Sequence, residues 1–98
     1  MIRVRMYTED KQSFLDNIRS TLANTEGCEG YTIFECLGSW KGVLEDSVCV
    51  ELILPPAFPV QRIRDAAQAI AEANGQDAVM LTVEPCIGME LVGKDGLQ

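Results

Sequence analysis

The residues with the clearest chemical potential lie in a short stretch bounded by glycines, GSWKG, from Gly38 to Gly42. It holds the only tryptophan of the chain, Trp40, beside Lys41. An indole ring can stack on a planar ligand, and an ammonium group can neutralise a phosphate. Equally, the ring can cover the core of a turn or pack on another subunit. Both interpretations stay open for Trp40, and the sequence names Trp40, Lys41 and Gly42 as candidate ligand-binding residues.

Two arginines are a second candidate feature for anion binding. Arg62 and Arg64 follow Pro59 in the first turn of a predicted helix. A helix N-terminus attracts anions, and basic residues there oppose the helix dipole unless an acidic group lies nearby. Solvated pairing with Asp65 is the alternative. We predict Arg62 and Arg64 as ligand-binding residues together with the tryptophan stretch.

Several classes of chemistry are excluded by what the sequence lacks. The absence of histidine removes histidine-based acid–base catalysis, histidine-activated nucleophiles and most zinc sites. No Walker A or GxGxxG phosphate loop occurs. The acids Glu45, Asp46 and Glu51 lack the dense spacing of a calcium loop. We therefore expect no catalytic residue, no metal site and no cofactor, and hence a protein that is not an enzyme.

Charge and cysteine content limit the partners and the compartment. The formal net charge is −7, from 8 basic and 15 acidic residues, which argues against DNA or RNA as a partner. The four cysteines form no CxxC motif, so reduced thiols are expected, with a disulfide pair as the alternative. No signal core and no membrane-length apolar run occur. We expect a cytoplasmic protein without membrane contact, in the host cell if it is viral.

The order of elements predicts how these residues are positioned. Alternation over IRVRMYT, together with the β-branched and aromatic content of YTIFECLGSW, SVCVELIL and DAVMLTVEP, predicts four strands. GSWKG is predicted to break the second strand. Residues 8–24 and 60–76 have the apolar spacing of helices. Thr8 or Asp10 is predicted to cap the first helix, and Gly75 to end the second.

This order, β-α-β-β-α-β, predicts an α+β, ferredoxin-like fold. Such a fold has a four-stranded antiparallel sheet with both helices on one face, and its third strand is central here because it is the most apolar. A short edge strand is predicted at MELV, residues 89–92, before a polar tail over about residues 93–98. We expect one domain over residues 1–98.

The helices leave one face of this sheet uncovered. Alternation places polar and apolar side chains of the neighbouring first and third strands together on that face, where Glu51 can pair with Arg3 or Arg5. A solvated face is one interpretation, but apolar residues beside paired charges suit burial against another subunit. The predicted oligomer interface consists of Arg3, Arg5, Tyr7, Cys49, Glu51 and Ile53.

The hairpin GSWKG, followed by an acid and the strand SVCVELIL, resembles the corresponding segment of the CutA family, which shares a superfamily with the P-II signal transducers. The resemblance extends weakly from Ile2 to about Val83 and is close only at Trp40, Lys41, Gly42 and the strand that follows. It implies a ferredoxin-like fold, a homotrimer with the sheets facing the threefold axis, and nucleotide-binding clefts between subunits. The missing histidines and the short connection between strands do not match the metal site of CutA or the long loop of P-II.

Three functions follow as hypotheses. The first is a non-enzymatic homo-oligomer that holds or sequesters a small anionic, nucleotide-derived signalling molecule between subunits. By analogy it is similar to phage sponges that act in anti-defence against host immune signalling. The second is an interaction protein that inhibits or scaffolds another macromolecule. The third is a CutA-like divalent-metal binder that uses cysteines and carboxylates.

Overall fold

A computed structural model describes residues 1–97 of the 98-residue chain. The elements follow the predicted β-α-β-β-α-β order, with a short hairpin added at the end. They are β1 (Ile2–Glu9), α1 (Phe14–Ala23), β2 (Thr32–Trp40), β3 (Val43–Leu54), α2 (Val60–Asn74), β4 (Met80–Pro85), β5 (Val92–Gly93) and β6 (Gly96–Leu97). Strands β2, β3, β1 and β4 form, in that order, a four-stranded antiparallel sheet. The prediction of an α+β, ferredoxin-like fold with a central β3 is confirmed.

Alternation along the central strands decides which face the helices cover. Val4 and Met6 are fully buried, whereas Arg3 and Arg5 on the opposite face stay partly exposed. Because Met6 pairs with Val50, the apolar sets of β1 and β3 share one face. Full burial of each large aliphatic side chain contributes about 1.5–3 kcal/mol. The helix residues buried against this face are Ile18, Leu22, Ile63, Ala66, Ala67 and Ile70.

The first helix begins later than the sequence predicted, and neither predicted cap is used. Thr8 lies inside β1 with its side chain buried. The backbone N–H of Asp10 donates a hydrogen bond to the carbonyl of Asp46 at 2.8 Å, which prolongs the strand pairing. The helix starts at Phe14, after Ser13 with a φ of 73° and no side-chain cap. Cross-strand hydrogen bonds therefore outweigh the local capping signal here.

The sequence predicted that GSWKG breaks β2, and this prediction is wrong. β2 continues to Trp40 and β3 begins at Val43, so only Lys41 and Gly42 form the turn. Both turn residues have positive φ, 50° and 80°, as in a type I′ hairpin turn whose twist matches that of the strands. Four residue pairs of this hairpin extend past the last pair of β3 with β1. We term this projecting part, residues 37–46, the tip.

The predicted edge strand at residues 89–92 does not join the sheet. The last backbone hydrogen bond to the sheet runs from the N–H of Cys86 to the carbonyl of Met1, at 2.9 Å. We term residues 87–92 the arm. Strand β5 pairs only with β6 among the described residues. The predicted polar tail over about residues 93–98 therefore forms part of this small hairpin, and Gln98 lies outside the described residues.

The tip and the arm leave opposite ends of the sheet. The tip lies beyond Glu9, whereas β4 ends at Pro85, which pairs with Ile2 at the start of β1. The molecule is elongated as a result, with extents of 44 × 26 × 23 Å and a radius of gyration of 14.4 Å. A compact domain of this length has a radius of gyration of about 12.6 Å.

The four cysteines are free thiols in different environments. Cys28 and Cys49 are buried, Cys36 is exposed and Cys86 is partly exposed. Burial raises the pKa of the Cys28 and Cys49 thiols, which disfavours their thiolate forms. Within residues 1–97, neither helix has the length and apolar content needed to cross a membrane.

Candidate functional site

A groove of about 600 Å³ crosses the end of the sheet at which β1 stops. Its walls come from the tip, from the last residues of β1 and from the loop of residues 75–78 after α2. Small-molecule sites in proteins have volumes of about 300–1,000 Å³ and are lined mostly by apolar and aromatic side chains. The groove therefore has the size of a site for one small ligand.

One part of the groove is aromatic and apolar. Tyr7 and Met80 occupy paired positions of β1 and β4, and Leu37 and Trp40 enter from β2. Trp40 is 48% exposed, so it does not complete the core of its own chain. The Nζ atom of Lys41 lies 5.8 Å from the centroid of the Trp40 ring. The arrangement leaves an aromatic surface on which a planar group can stack.

The charged residues of the groove are acidic. Glu9, Glu45 and Asp77 line it, and none of its described lining residues is basic. Glu9 pairs with Lys11 at the rim, with 2.8 Å between Oε2 and Nζ. Partial burial raises the pKa of Glu45, the Glu9 carboxylate raises it further, and Lys11 opposes the change. The groove thus combines a carboxyl pair with excess negative charge.

A buried polar network fixes the floor of the groove. The Thr8 hydroxyl donates a hydrogen bond to Oε1 of Gln76. Asn74 Nδ2 donates to the same oxygen at 3.5 Å, and Asn17 Nδ2 donates to Asn74 Oδ1 at 2.7 Å. Thr8 and Asn74 are only 5% and 7% exposed. These bonds join β1, α1 and the end of α2, and so hold residues 75–78 in place.

The close approach of the hairpin strands also shapes the groove. A Cβ atom on Gly38 would lie 2.8 Å from Oγ of Ser47, which lies two positions beyond Glu45, the β3 partner of Gly38. Both residues line the groove. Any side chain at position 38 would therefore push the strands apart or fill the groove.

The structure separates the five predicted ligand-binding residues. Trp40 lines the groove, and Lys41 and Gly42 form the adjoining turn. Arg62 and Arg64 lie near the start of α2, whereas the loop after its end lines the groove. Thirteen residues of helix place these two regions about 20 Å apart, because an α-helix rises about 1.5 Å per residue. The arginines and the tryptophan are therefore not brought together within one chain.

Arg62 lines a different depression, of about 510 Å³, between the two helices. Its Nη1 donates a hydrogen bond to the carbonyl of Glu26 at 3.3 Å, and its guanidinium lies 5.3 Å from the centroid of the Phe58 ring. The depression is open to solvent, and seven of its nine lining residues are polar or charged. It lacks the aromatic surface of the groove, which is the better candidate site.

All six predicted interface residues lie on the face of the sheet that the helices leave uncovered, as the pairing register requires. Glu51 pairs with Arg5, with 2.9 Å between Oε2 and Nε. Arg3 instead pairs with Glu84 of β4, at 3.3 Å. The six predicted interface residues are Arg3, Arg5, Tyr7, Cys49, Glu51 and Ile53. That another copy covers the face on which they lie stays a prediction.

Sequence reasoning missed the acidic character of the groove. Glu9, Gln76 and Asp77 were not candidates, since no local spacing connects them with the tip. The one sequence signal of a buried polar network near the groove was Asn74, a polar residue beside the apolar stripe of α2. Among residues 1–97, no three histidine, cysteine or acidic side chains are close enough to hold a metal ion.

No protein-family model matches the sequence, and no curated protein matches it. Solved structures do share its fold. One is a phage SAM lyase in complex with S-methyl-5'-thioadenosine, with a TM-score of 0.68, 14% identity, and coverage of 85% of this chain and 79% of that chain. The same kind of enzyme in the apo state gives a TM-score of 0.63 at 14% identity, over 85% of this chain and 78% of that chain.

A DUF3240 family protein from Shewanella baltica OS155 is also similar, with a TM-score of 0.68 and 13% identity over 94% of this chain and 97% of that chain. At these identities the likeness concerns the fold alone. The neighbours are small α+β proteins, and membership of the P-II/CutA-like superfamily stays a prediction.

Proposed function

We propose that this chain binds a small adenosine-type thioether or sulfonium compound in the groove. The observation that carries the proposal is an aromatic and apolar wall combined with three carboxylates and no basic residue among the described lining. Such a surface suits a ligand with a planar ring and a neutral or positively charged arm.

The charges of the groove distinguish between ligand classes. Two unit charges about 4 Å apart near a protein surface interact by about 4 kcal/mol. Glu9, Glu45 and Asp77 would therefore repel a phosphate and attract a sulfonium centre. Two basic residues lie at the edge of the groove: Lys41 beside the Trp40 ring, and Lys11, which is paired with Glu9. We accordingly revise the anionic ligand expected from the sequence to a neutral or cationic nucleoside derivative.

The structural neighbours support the same ligand class. A phage SAM lyase of similar fold was solved with S-methyl-5'-thioadenosine, an adenosine thioether without phosphate. For the present chain we propose sequestration: a homo-oligomer that withholds such a molecule from other proteins, as a phage sponge would. Sequestration requires binding and no chemical step.

Calorimetry of the full chain tests the proposal. We expect S-adenosylmethionine and S-methyl-5'-thioadenosine to bind more tightly than adenosine monophosphate. Stacking on an aromatic side chain contributes about 1–3 kcal/mol per base. Trp40→Ala should therefore weaken binding by about 5- to 150-fold.

Phe34→Ala is the matched control, because Phe34 is an exposed aromatic residue of the same strand but does not line the groove. It should leave affinity unchanged. Folded wild-type protein that binds neither adenosine thioether, or that prefers the monophosphate, would contradict the proposal.

An enzyme acting on the same ligands is the second candidate. The pairing of Glu45 with Glu9 in the groove favours it, because Glu9 helps to raise the pKa of Glu45 and a carboxyl group with a raised pKa in a groove is typical of acid–base sites. A protein of similar fold, the phage SAM lyase, is itself an enzyme.

Incubation with S-adenosylmethionine, followed by chromatography, separates the two candidates. Release of several equivalents of S-methyl-5'-thioadenosine per chain, lost in Glu45→Gln, would show an enzyme. Binding without turnover would support sequestration.

A further inference from the structure

The exposed apolar surface is concentrated on the tip and the arm. Eight of the twelve large hydrophobic residues that are exposed within residues 1–96 lie on these two segments. Exposed large apolar residues that cluster in short segments indicate sites of interaction. The tip contributes Leu37, Trp40, Val43 and Leu44, and the arm contributes Ile87, Met89, Leu91 and Val92.

One chain cannot use its own arm to cover its own tip. The arm begins at the end of the sheet where Leu54 pairs with Ile2, whereas Val43 lies eleven residues away along β3. Eleven residues of strand span about 37 Å, at about 3.4 Å per residue. Six extended residues of arm reach only about 20 Å. A second copy, however, can bring its arm to this tip.

The arm has the pattern of a strand without a partner. Ile87, Met89 and Leu91 alternate with Gly88 and Glu90, the period of a strand with one apolar face. No backbone–backbone hydrogen bond joins residues 87–91 to the rest of the described chain. The backbone of this segment is thus free to pair.

A complementary partner exists at the other end of the molecule. β2 is an edge strand of the sheet, so one side of its backbone is unpaired. Such edges accept an added strand. Alternation places Leu37 and Leu44 on one face of the tip, at 69% and 70% exposure, and Trp40 and Val43 on the other.

We propose that the arm of one copy adds as a strand to the outer edge of β2 in the next copy, near the tip. The arm's apolar side chains then cover Leu44 and Leu37, of which Leu37 also lines the groove, and they leave Trp40 on the other face free. Tip and arm are different surfaces, so the contact is head-to-tail. Repetition of such a contact closes a ring when the rotation between copies permits it. The inference holds whichever ligand the groove takes.

Complementation between two variants tests a head-to-tail contact directly. Leu91→Glu disables the arm, and Leu44→Glu disables the tip. Light scattering after gel filtration should show wild-type protein as a ring and each variant as a monomer. Each should need at least about a tenfold higher concentration to assemble. A mixture of the two retains one intact arm and one intact tip, and should form a species with the mass of two chains.

Gln68→Glu is the control, because it adds the same negative charge on α2, away from both segments. It should assemble as the wild type does. The proposal is overturned if wild-type protein is monomeric, if either variant still forms the full ring, or if the mixture stays monomeric while both variants keep wild-type circular dichroism. Association through the uncovered sheet face alone would leave both variants assembled.

Hydrogen exchange of the wild-type chain gives a second measurement that needs no variant. Amides of residues 87–91 and of β2 near the tip should exchange more slowly at concentrations where the ring forms than after dilution to monomers. Equal exchange under both conditions would overturn the proposal even if the variants failed to fold.

Discussion

Replacement of Thr8 by valine tests whether the buried network holds the groove in place. Thr8 is 5% exposed on the helix-covered face of β1, and its hydroxyl donates to Gln76 in the loop after α2. Valine keeps the branched shape and is as favourable in a strand as threonine. The Thr8→Val variant therefore removes one hydrogen bond and little else.

The expected loss follows from the partners that remain. A buried hydrogen bond contributes about 0.5–1.5 kcal/mol net, and an acceptor left without a partner costs more. Gln76 Oε1 keeps only the 3.5 Å contact from Asn74. We expect Thr8→Val to lower the free energy of unfolding by about 0.5–1.5 kcal/mol. In a domain of this size, that lowers Tm by about 2–12 °C.

Thermal unfolding followed by circular dichroism measures the effect, with Thr82→Val as the matched control. Thr82 is an exposed threonine of β4 on the uncovered face, and its replacement should change stability by less than about 0.5 kcal/mol. Hydrogen exchange should also be faster at residues 75–78 in Thr8→Val. Unchanged melting of Thr8→Val, or an equal loss in Thr82→Val, would show that the Thr8–Gln76 hydrogen bond does not stabilise the fold.

Two further predictions concern charge and backbone conformation. Folding raises the pKa of Glu45, first because the carboxyl group is partly buried and second because Glu9 lies nearby. Ionisation of Glu45 therefore opposes folding once the pH rises above 4.5, the ordinary pKa of this group. Glu45→Gln should therefore raise Tm at about pH 7 and leave it nearly unchanged at about pH 3.5, and an equal effect at both pH values would contradict this. Gly27 has a φ of +84°, and a Cβ there would lie 2.7 Å from Cε2 of Phe58. Gly27→Ala should lower the unfolding free energy in urea by about 2–4 kcal/mol, whereas Gly30→Ala, with no atom near its added Cβ, should be neutral.

The fold could be predicted because its signals are local. Arg3 and Arg5 alternate with Val4 and Met6, which fixes the two faces of β1 before any other strand is considered. The most apolar strand is central, and the helix that stops at Gly75 does so because glycine adopts the left-handed conformation, with φ 63°. Such patterns need no knowledge of distant residues.

Boundaries were less predictable because tertiary contacts competed with local signals. Asp10 looks like a helix cap, but its N–H extends the strand pairing to Asp46. GSWKG looks like a break, but the turn needs only Lys41 and Gly42, and the hairpin continues on both sides. Capping and turn residues are permissive, so the hydrogen bonds available from a neighbouring strand decide which of them are used.

Some features of the site were likewise predictable from the sequence, whereas others depended on the tertiary structure. The sequence alone predicted the order of elements and the covered and uncovered faces of the sheet, and it named Trp40 as a candidate residue for either ligand contact or packing. Only the tertiary structure brought Glu9, Glu45 and Asp77 into one groove, and only it placed Arg62 about 20 Å away along α2. The physical reason is that a periodic pattern encodes which face a residue takes, whereas the charge of a groove depends on which loops the fold brings together.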